Sequence, residues 1–454
     1  MNSIFPPHFL ASIGKATGFD ETSFVQAHEL PAPTSIRLNP AKPIDQFDKD
    51  EPVAWCSEGH YLAERPVFTL DPLFQAGSYY VQEASSMFLA EILKQTLDLT
   101  DELKVLDLCA APGGKSTLIG SLISKDSLLV ANEVIKNRSS ILADNLTRWG
   151  LLNAFVTNND PSHFSRLEGY FDVMVVDAPC SGSGLFRKDP KAMNEWSLNN
   201  VVMCTQRQKR ILADAWNALK EDGLLIYSTC SYSVEENEDI LDWMFDTFEV
   251  ESRSIKTSNN SGIVQTQSPL NQAFGYRFYP DKVQGEGFFT AVIQKKEGRN
   301  YPFRGFKPQR TKDFKAEKEI LSRWLTNVEE VTWTAKNGDY FLLNPKHLDH
   351  LLLLQKQFYF RKAGVRLGQF QGKDLIPDHE LAMSTILKNE IPSITLNEQQ
   401  ALKYLKKEEI EIDYSVKGWK LVTYERFGLG WIKVMPNRYN NHLPKEWRIL
   451  MDIE

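Results

Sequence analysis

The sequence predicts an α/β fold built on a parallel, doubly wound sheet, with a small N-terminal α+β domain before it and a β-rich region after it. Two observations point there. From Lys104 onward, short apolar strands alternate with segments of helical spacing. The polar, glycine-bearing motifs then fall at or just past the ends of those strands, where doubly wound sheets hold their ligands.

The elements follow in order. Residues 1–100 mix short helical and extended signals, and SIRLN (Ser35–Asn39) is a short strand in a proline-rich stretch from Leu30 to Pro43. KVLDL from Lys104 is an apolar strand that ends in a glycine turn, and STLIGSLIS continues with helical spacing. SLLVANE is the next strand. Lys136 to Trp149 is a helix closed by Gly150. AFVT and DVMVVD are further strands. Ser197 to Lys220 is a long helix stopped by a turn at Glu221-Asp222-Gly223. LLIYS is a strand, a helix runs from Glu235 to about Phe248, and GFFTAVIQK closes the series.

Lys295 to Lys318 carries nine basic residues with Pro302 and Pro308, and reads as a linker or solvated arm. Beyond it come short strands, YFLLN, LVTYE and WIKVM, and a helix capped by Asn397 that runs to Lys406. The expected division is 1–95, 96–297 and 298–454.

Bulk composition narrows the class. With 454 residues, 42% hydrophobic and 24% charged, the chain fits a soluble protein of two or three domains. No apolar run is long enough to span a membrane, and the N-terminus does not read as a signal peptide. Five cysteines without framework spacing fit reduced thiols in the cytoplasm. The nearest histidine pair, His347 and His350, has no Cys or carboxylate partner at ligand spacing, so no metal is expected. Net charge is −7, but residues 301–454 carry +5 against −12 for residues 1–300. A basic patch for a polyanion is compatible with that distribution. No feature indicates an oligomeric state.

The first strand runs into Asp107-Leu108-Cys109-Ala110-Ala111-Pro112-Gly113-Gly114-Lys115-Ser116. Gly113 and Gly114 permit a sharp turn and close backbone approach to a ligand. The ending Gly-Lys-Ser is misleading: Walker A needs Gly where Cys109 stands, and the dinucleotide fingerprint fails as well. What remains is a small-residue loop suited to a nucleoside that lacks a pyrophosphate. Glu133, at the end of the second strand, is suited to a ribose, and Asp160, after the third, to an adenine edge. Taken singly, either carboxylate could equally be a loop cap.

Two further strands end in Asp177-Ala178-Pro179-Cys180-Ser181-Gly182 and in Ser228-Thr229-Cys230-Ser231. Cysteine is most often a small buried hydrophobe, and Cys56 and Cys204 read that way. Cys180 and Cys230 instead occupy polar loops over one crevice, where chemistry belongs. Methylation at C5 of cytosine is chemistry that uses such a pair. That carbon is too weak a nucleophile until a thiolate adds at C6, and a base must later remove the C5 proton so that the thiol can leave. Asp177 is suited to hydrogen-bond the base edge. Methyl transfer to N or O needs no thiol pair.

At LDLCAAPGGKS (Leu106–Ser116), NEVIKNRSSILADNLTRWG (Asn132–Gly150), VVDAPCSGSG (Val175–Gly184) and YSTCSYSVEENE (Tyr227–Glu238) the sequence resembles the RNA cytosine-C5 methyltransferases. GSYYVQEASSM (Gly77–Met87) and GEGFF (Gly285–Phe289) look like flanking motifs of that family. The resemblance covers about residues 1–295. It implies a Rossmann-like methyltransferase sheet, with S-adenosylmethionine bound by Cys109, Ala110, Ala111, Pro112, Gly113, Gly114, Lys115, Glu133, Asp160 and Asp177. It implies Cys230 as nucleophile, Cys180 as the residue that assists product release, and Arg37 and Asn39 as RNA contacts. Lys115 could serve cofactor, RNA or loop.

The layout is also similar to the bacterial 16S rRNA subgroup with a C-terminal PUA-like extension, on Gly364, Gly368, Pro377 with His379–Ala382, and LGWIKVMPNRYNNHLPKEWRI. That makes small-subunit rRNA or the 30S subunit the expected partner. A tRNA target, and a non-catalytic assembly factor on the same fold, stay open at this point. The late aromatics (Trp419, Tyr424, Phe427, Trp431, Tyr439, Trp447) suit a small core better than base stacking.

Overall fold

The α/β alternation begins at Lys104, as the sequence predicts. The computed structural model describes residues 4–47, 49–258, 260–302, 315–372 and 374–452. Much of the basic linker, residues 303–314, lies outside the described residues.

An N-terminal sheet has the order β2-β3-β1-β4, from β1 (Thr34–Leu38), β2 (Glu51–Pro52), β3 (Gly59–Leu62) and β4 (Tyr79–Val81). The next nine strands are β5 (Lys104–Asp107), β6 (Leu128–Asn132), β7 (Ala154–Thr157), β8 (Phe171–Asp177), β9 (Leu219–Thr229), β10 (Val250–Arg253), β11 (Val264–Gln267), β12 (Phe274–Phe278) and β13 (Phe288–Lys295). The C-terminal strands are β14 (Thr332–Lys336), β15 (Asp339–Leu343), β16 (Phe360–Ala363), β17 (Val365–Gln371), β18 (Asp374–Pro377), β19 (Ser393–Leu396), β20 (Gly418–Tyr424), β21 (Phe427–Val434) and β22 (Tyr439–Asn441).

The central sheet has the order β11-β12-β13-β9-β8-β5-β6-β7-β16, with β10 also on β13. Strands β9, β8, β5, β6 and β7 run parallel. Both faces of these strands are buried, as their near-continuous apolar runs require. Val105, Leu129, Val156, Val175 and Ile226 pack on one side, and their neighbours Leu106, Val130, Phe155, Val176 and Tyr227 on the other. At about 1.5–3 kcal/mol for each fully buried aliphatic chain, this double layer dominates what holds the crevice in place.

Two sequence expectations differ. The helix over Ser197–Lys220 ends at Ala215, and the predicted turn at Glu221-Asp222-Gly223 lies inside β9. There the register jumps from Phe171↔Leu219 to Val173↔Leu224, and Asp222 takes φ 58°, so the turn residues form a bulge within the pairing. The second difference is at the sheet edge. β16 belongs by sequence to the C-terminal region, yet it pairs antiparallel with β7 of the catalytic sheet.

Beyond the linker, β14-β15-β17-β18 and β19-β20-β21-β22 form two small sheets. The Asn397 cap is present as a full capping box on the helix Glu398–Leu405. Trp431 is buried and donates to Asp378 O, while Tyr424, Phe427, Tyr439 and Trp447 pack on the core of the last sheet. These aromatics fill cores. Among the described residues no helix is long and apolar enough to cross a membrane.

Candidate active site

The crevice forms at the carboxyl ends of β5, β8 and β9. Asp107 ends β5, and the loop behind it turns at Gly113 (φ 117°) into the helix Gly114–Leu122. A Cβ at Gly114 would stand 3.3 Å from the Tyr80 ring, so β4 of the N-terminal sheet closes against this loop. A cavity of about 160 Å³ lies between them. Its walls are Asp107, Cys109 to Pro112, Gly114, Lys115 and Asp177 on one side, and Tyr80 to Glu83 with Ser86 on the other.

Charge in the cavity is organised around Asp177. Lys115 Nζ lies 2.8 Å from Asp177 Oδ2, and Ser228 Oγ donates to Asp177 Oδ1 at 2.8 Å. Burial penalises the Lys115 ammonium, but Asp177 and then Asp107 outweigh that and hold its pKa above the usual lysine value. Burial pushes Asp107 up to about 7 against the hydroxyl of Ser116, which donates to Oδ2 at 2.6 Å. Asp107 Oδ1 is buried with no hydrogen-bond partner among the described residues. A small-residue loop, an orphaned acceptor and a second carboxylate fit a nucleoside that carries a cationic sulfonium.

The two cysteines lie just past the carboxyl ends of adjacent parallel strands, β8 and β9, which are paired in register at Asp177↔Ser228. Their sulfurs are 3.2 Å apart. The neighbouring Cys230 sulfur, then burial, raise the Cys180 pKa well above the usual thiol value. Cys109 lines the cavity, and burial raises its thiol too. Cys56 and Cys204 are buried in packing, as expected.

Glu133 ends up beside the strand end, buried, with Ile135 N donating to Oε1 and Arg138 Nη1 at 3.4 Å from Oε2. Asp160 caps the short helical turn Pro161–Arg166 through Ser162, whose hydroxyl and amide hold its pKa below the usual carboxylate value. Neither lines the cavity with Asp107. Arg37 and Asn39 correct a sequence expectation: both are buried and cannot reach a polyanion at the surface. Arg37 donates to Gln82 Oε1 and Thr117 Oγ1 and stacks 4.5 Å from the Trp149 ring centre. Asn39 Nδ2 donates to Gly77 O and Trp149 O. They join the N-terminal sheet to the catalytic layer. His347 and His350 contact Asp126 O and Tyr170 within packing.

Sequence reasoning missed the β4 wall and also Glu236 and Asn237, which are buried behind the cysteine loops. The signal for both lay inside GSYYVQEASSM and YSTCSYSVEENE, where polar residues crowd an otherwise buried segment.

Three family models match successive parts of the chain: the N-terminal domain of 16S rRNA methyltransferase RsmF at 5–84, 16S rRNA methyltransferase RsmB/F at 94–294, and the methyltransferase RsmF PUA domain at 386–449. Ribosomal RNA small subunit methyltransferase F of Shewanella woodyi is 31% identical over 93% of this chain and 92% of that protein. The chain belongs to the ribosomal RNA small subunit methyltransferase F family. The protein of that name from Vibrio atlanticus is 31% identical over 98% of both chains. A solved methyltransferase homolog from Pyrococcus horikoshii is 31% identical, with a TM-score of 0.54 over 63% of this chain and 94% of that one. As a member of the methyltransferase F family the protein is a methyltransferase on a Rossmann-like sheet with a C-terminal PUA domain, and its cofactor is S-adenosylmethionine.

Proposed function

We propose that the protein methylates C5 of a cytosine in 16S rRNA through a temporary bond between Cys230 Sγ and C6 of the base. The observation that carries this reading is the 3.2 Å approach of the Cys180 and Cys230 sulfurs beside Asp177. S-adenosylmethionine, when bound, supplies an electrophilic methyl group. Asp107, the loop Cys109–Lys115 and Asp177 hold it, with Glu133 and Asp160 at the neighbouring strand ends.

The two thiols take different roles. The neighbouring Cys230 sulfur, then burial, hold the proton on Cys180, and the thiolate form of Cys230 is the nucleophile. That thiolate adds to C6, and the electron pair so placed on C5 takes the methyl group. Once Cys230 is bonded to carbon its charge is gone, and the main cause holding the Cys180 proton disappears. Cys180 then gives its own proton to water and, as the thiolate, accepts the C5 proton directly or through water. The C6–S bond breaks, and the C5–C6 double bond re-forms. Asp177, paired with Lys115, accepts a hydrogen bond from the exocyclic amine of the base. The base must leave its stack to reach this crevice.

The three units divide the work. Residues 1–95 form one wall, 96–297 carry the chemistry, and 298–454 hold structured RNA, here the small-subunit rRNA or the 30S particle. Bisulfite sequencing of total RNA from cells with and without the gene tests the whole reading. One protected cytosine in 16S rRNA that disappears with the gene supports it. An unchanged 16S profile, or a changed tRNA cytosine, overturns it.

A further inference from the structure

We propose that Glu236 and Asn237 are positioning residues that lock the two cysteine loops together and set the separation of their sulfurs. This deepens the reading of the cysteine pair above and rests on it for its catalytic meaning.

Both residues lie between β9 and the helix Glu238–Thr247, and both are fully buried. Glu236 Oε1 accepts from Ser181 N at 2.8 Å and from Gln208 Nε2 at 3.3 Å. Its Oε2 accepts from Ser181 Oγ at 2.6 Å and from Ser231 Oγ at 2.5 Å. Asn237 Oδ1 accepts from Thr229 Oγ1 at 2.6 Å, and its Nδ2 donates to Ser231 O at 2.8 Å. Ser181 follows Cys180, while Thr229 and Ser231 flank Cys230. Apart from Gln208, every residue tied by these two side chains is next to a cysteine in the chain.

A buried carboxylate is costly unless its oxygens are satisfied, and an apolar residue could have filled the same volume. Here the carboxylate does what an apolar side chain cannot. It accepts from both loops at once, using two oxygens that offer only acceptors. Glu236→Gln presents one acceptor oxygen and one amide NH2 donor. The Ser181 amide cannot reverse its role, so the tie to at least one loop weakens. Asn237→Asp removes the only donor that Ser231 O has among the described residues.

The variants Glu236→Gln and Asn237→Asp keep the side-chain volume. Three measurements separate positioning from mere folding. The first needs no RNA: diamide oxidises neighbouring thiols to a disulfide, and peptide mass mapping follows the Cys180–Cys230 link. The wild type should form it, and both variants should form it roughly tenfold more slowly, the effect of losing one hydrogen bond to a charged group or its equivalent. The second is cofactor binding and the melting temperature, with the dissociation constant for S-adenosylmethionine expected to stay within about twofold of wild type. The third is kcat for methyl transfer to RNA, expected to fall while KM for RNA holds and a denaturation-resistant RNA adduct builds up. Slowed linkage with no adduct in any protein leaves the clamp standing and removes the covalent reading. No linkage in the wild type, equal linkage rates in all three proteins, or a loss of cofactor binding in step with melting temperature overturns the clamp.

Discussion

Asp177 Oδ2 stands 2.8 Å from Lys115 Nζ, while Asp177 Oδ1 accepts from Ser228 Oγ. One carboxylate therefore ties the glycine-loop helix to β9, two residues ahead of Cys230. Asp177→Asn keeps the shape and removes the charge that steadies Lys115. Its kcat should fall on the order of 10²-fold, the usual scale for losing one aimed polar group. KM for S-adenosylmethionine should rise less than kcat falls. Steady-state kinetics decide, and an unchanged kcat would take Asp177 out of the chemistry.

The cysteines should fail differently. Cys230→Ala is expected to abolish methyl transfer and any covalent RNA complex. Cys180→Ala should still form that complex and accumulate it as a band that survives denaturing electrophoresis. Reversed behaviour would exchange the two roles.

Stability should carry the signature of Asp107, whose carboxyl is pushed up to about 7 by burial from an ordinary value of 3.8. Its contribution is full below pH 3.8, where both folded and unfolded chains hold the proton. It is lost as pH rises to about 7, because the unfolded chain ionises first. Asp107→Asn cannot ionise, so its melting temperature should gain on the wild type across that window and run parallel above it. Thermal melts of the two proteins from pH 5 to 8 test this. A constant difference would mean that Asp107 is ionised throughout.

Arg37 serves the fold. Arg37→Met should destabilise the protein by about 1–3 kcal/mol, since the buried partners Gln82 and Thr117 lose their donor. The salt dependence of RNA binding should not change, because no phosphate contact is lost. Denaturant melts and filter binding at several salt concentrations separate the two outcomes. A shallower salt slope would restore Arg37 as an RNA contact.

Much of this was legible in the chain. The parallel strands announce themselves because both faces are buried and their residues are nearly all apolar. The cysteine loops stand out because polar, small residues at strand ends have no packing reason to hold a thiol. The β9 bulge was not legible: Glu221-Asp222-Gly223 has the chemistry of a turn, and only its pairing with β8 shows that the strand continues past it. Nor was the addition of β16 to the sheet, because nothing in a short strand names its partner across some two hundred residues.

By itself the sequence determined the strand–helix alternation, the nucleoside loop and the two thiols at strand ends, since each depends on local spacing and residue type. Only the tertiary structure decided that Arg37 and Asn39 face inward, that β4 closes the cavity, and that Glu236 reaches both cysteine loops. Burial and hydrogen-bond partnership between distant segments are set by packing, and no local pattern carries them.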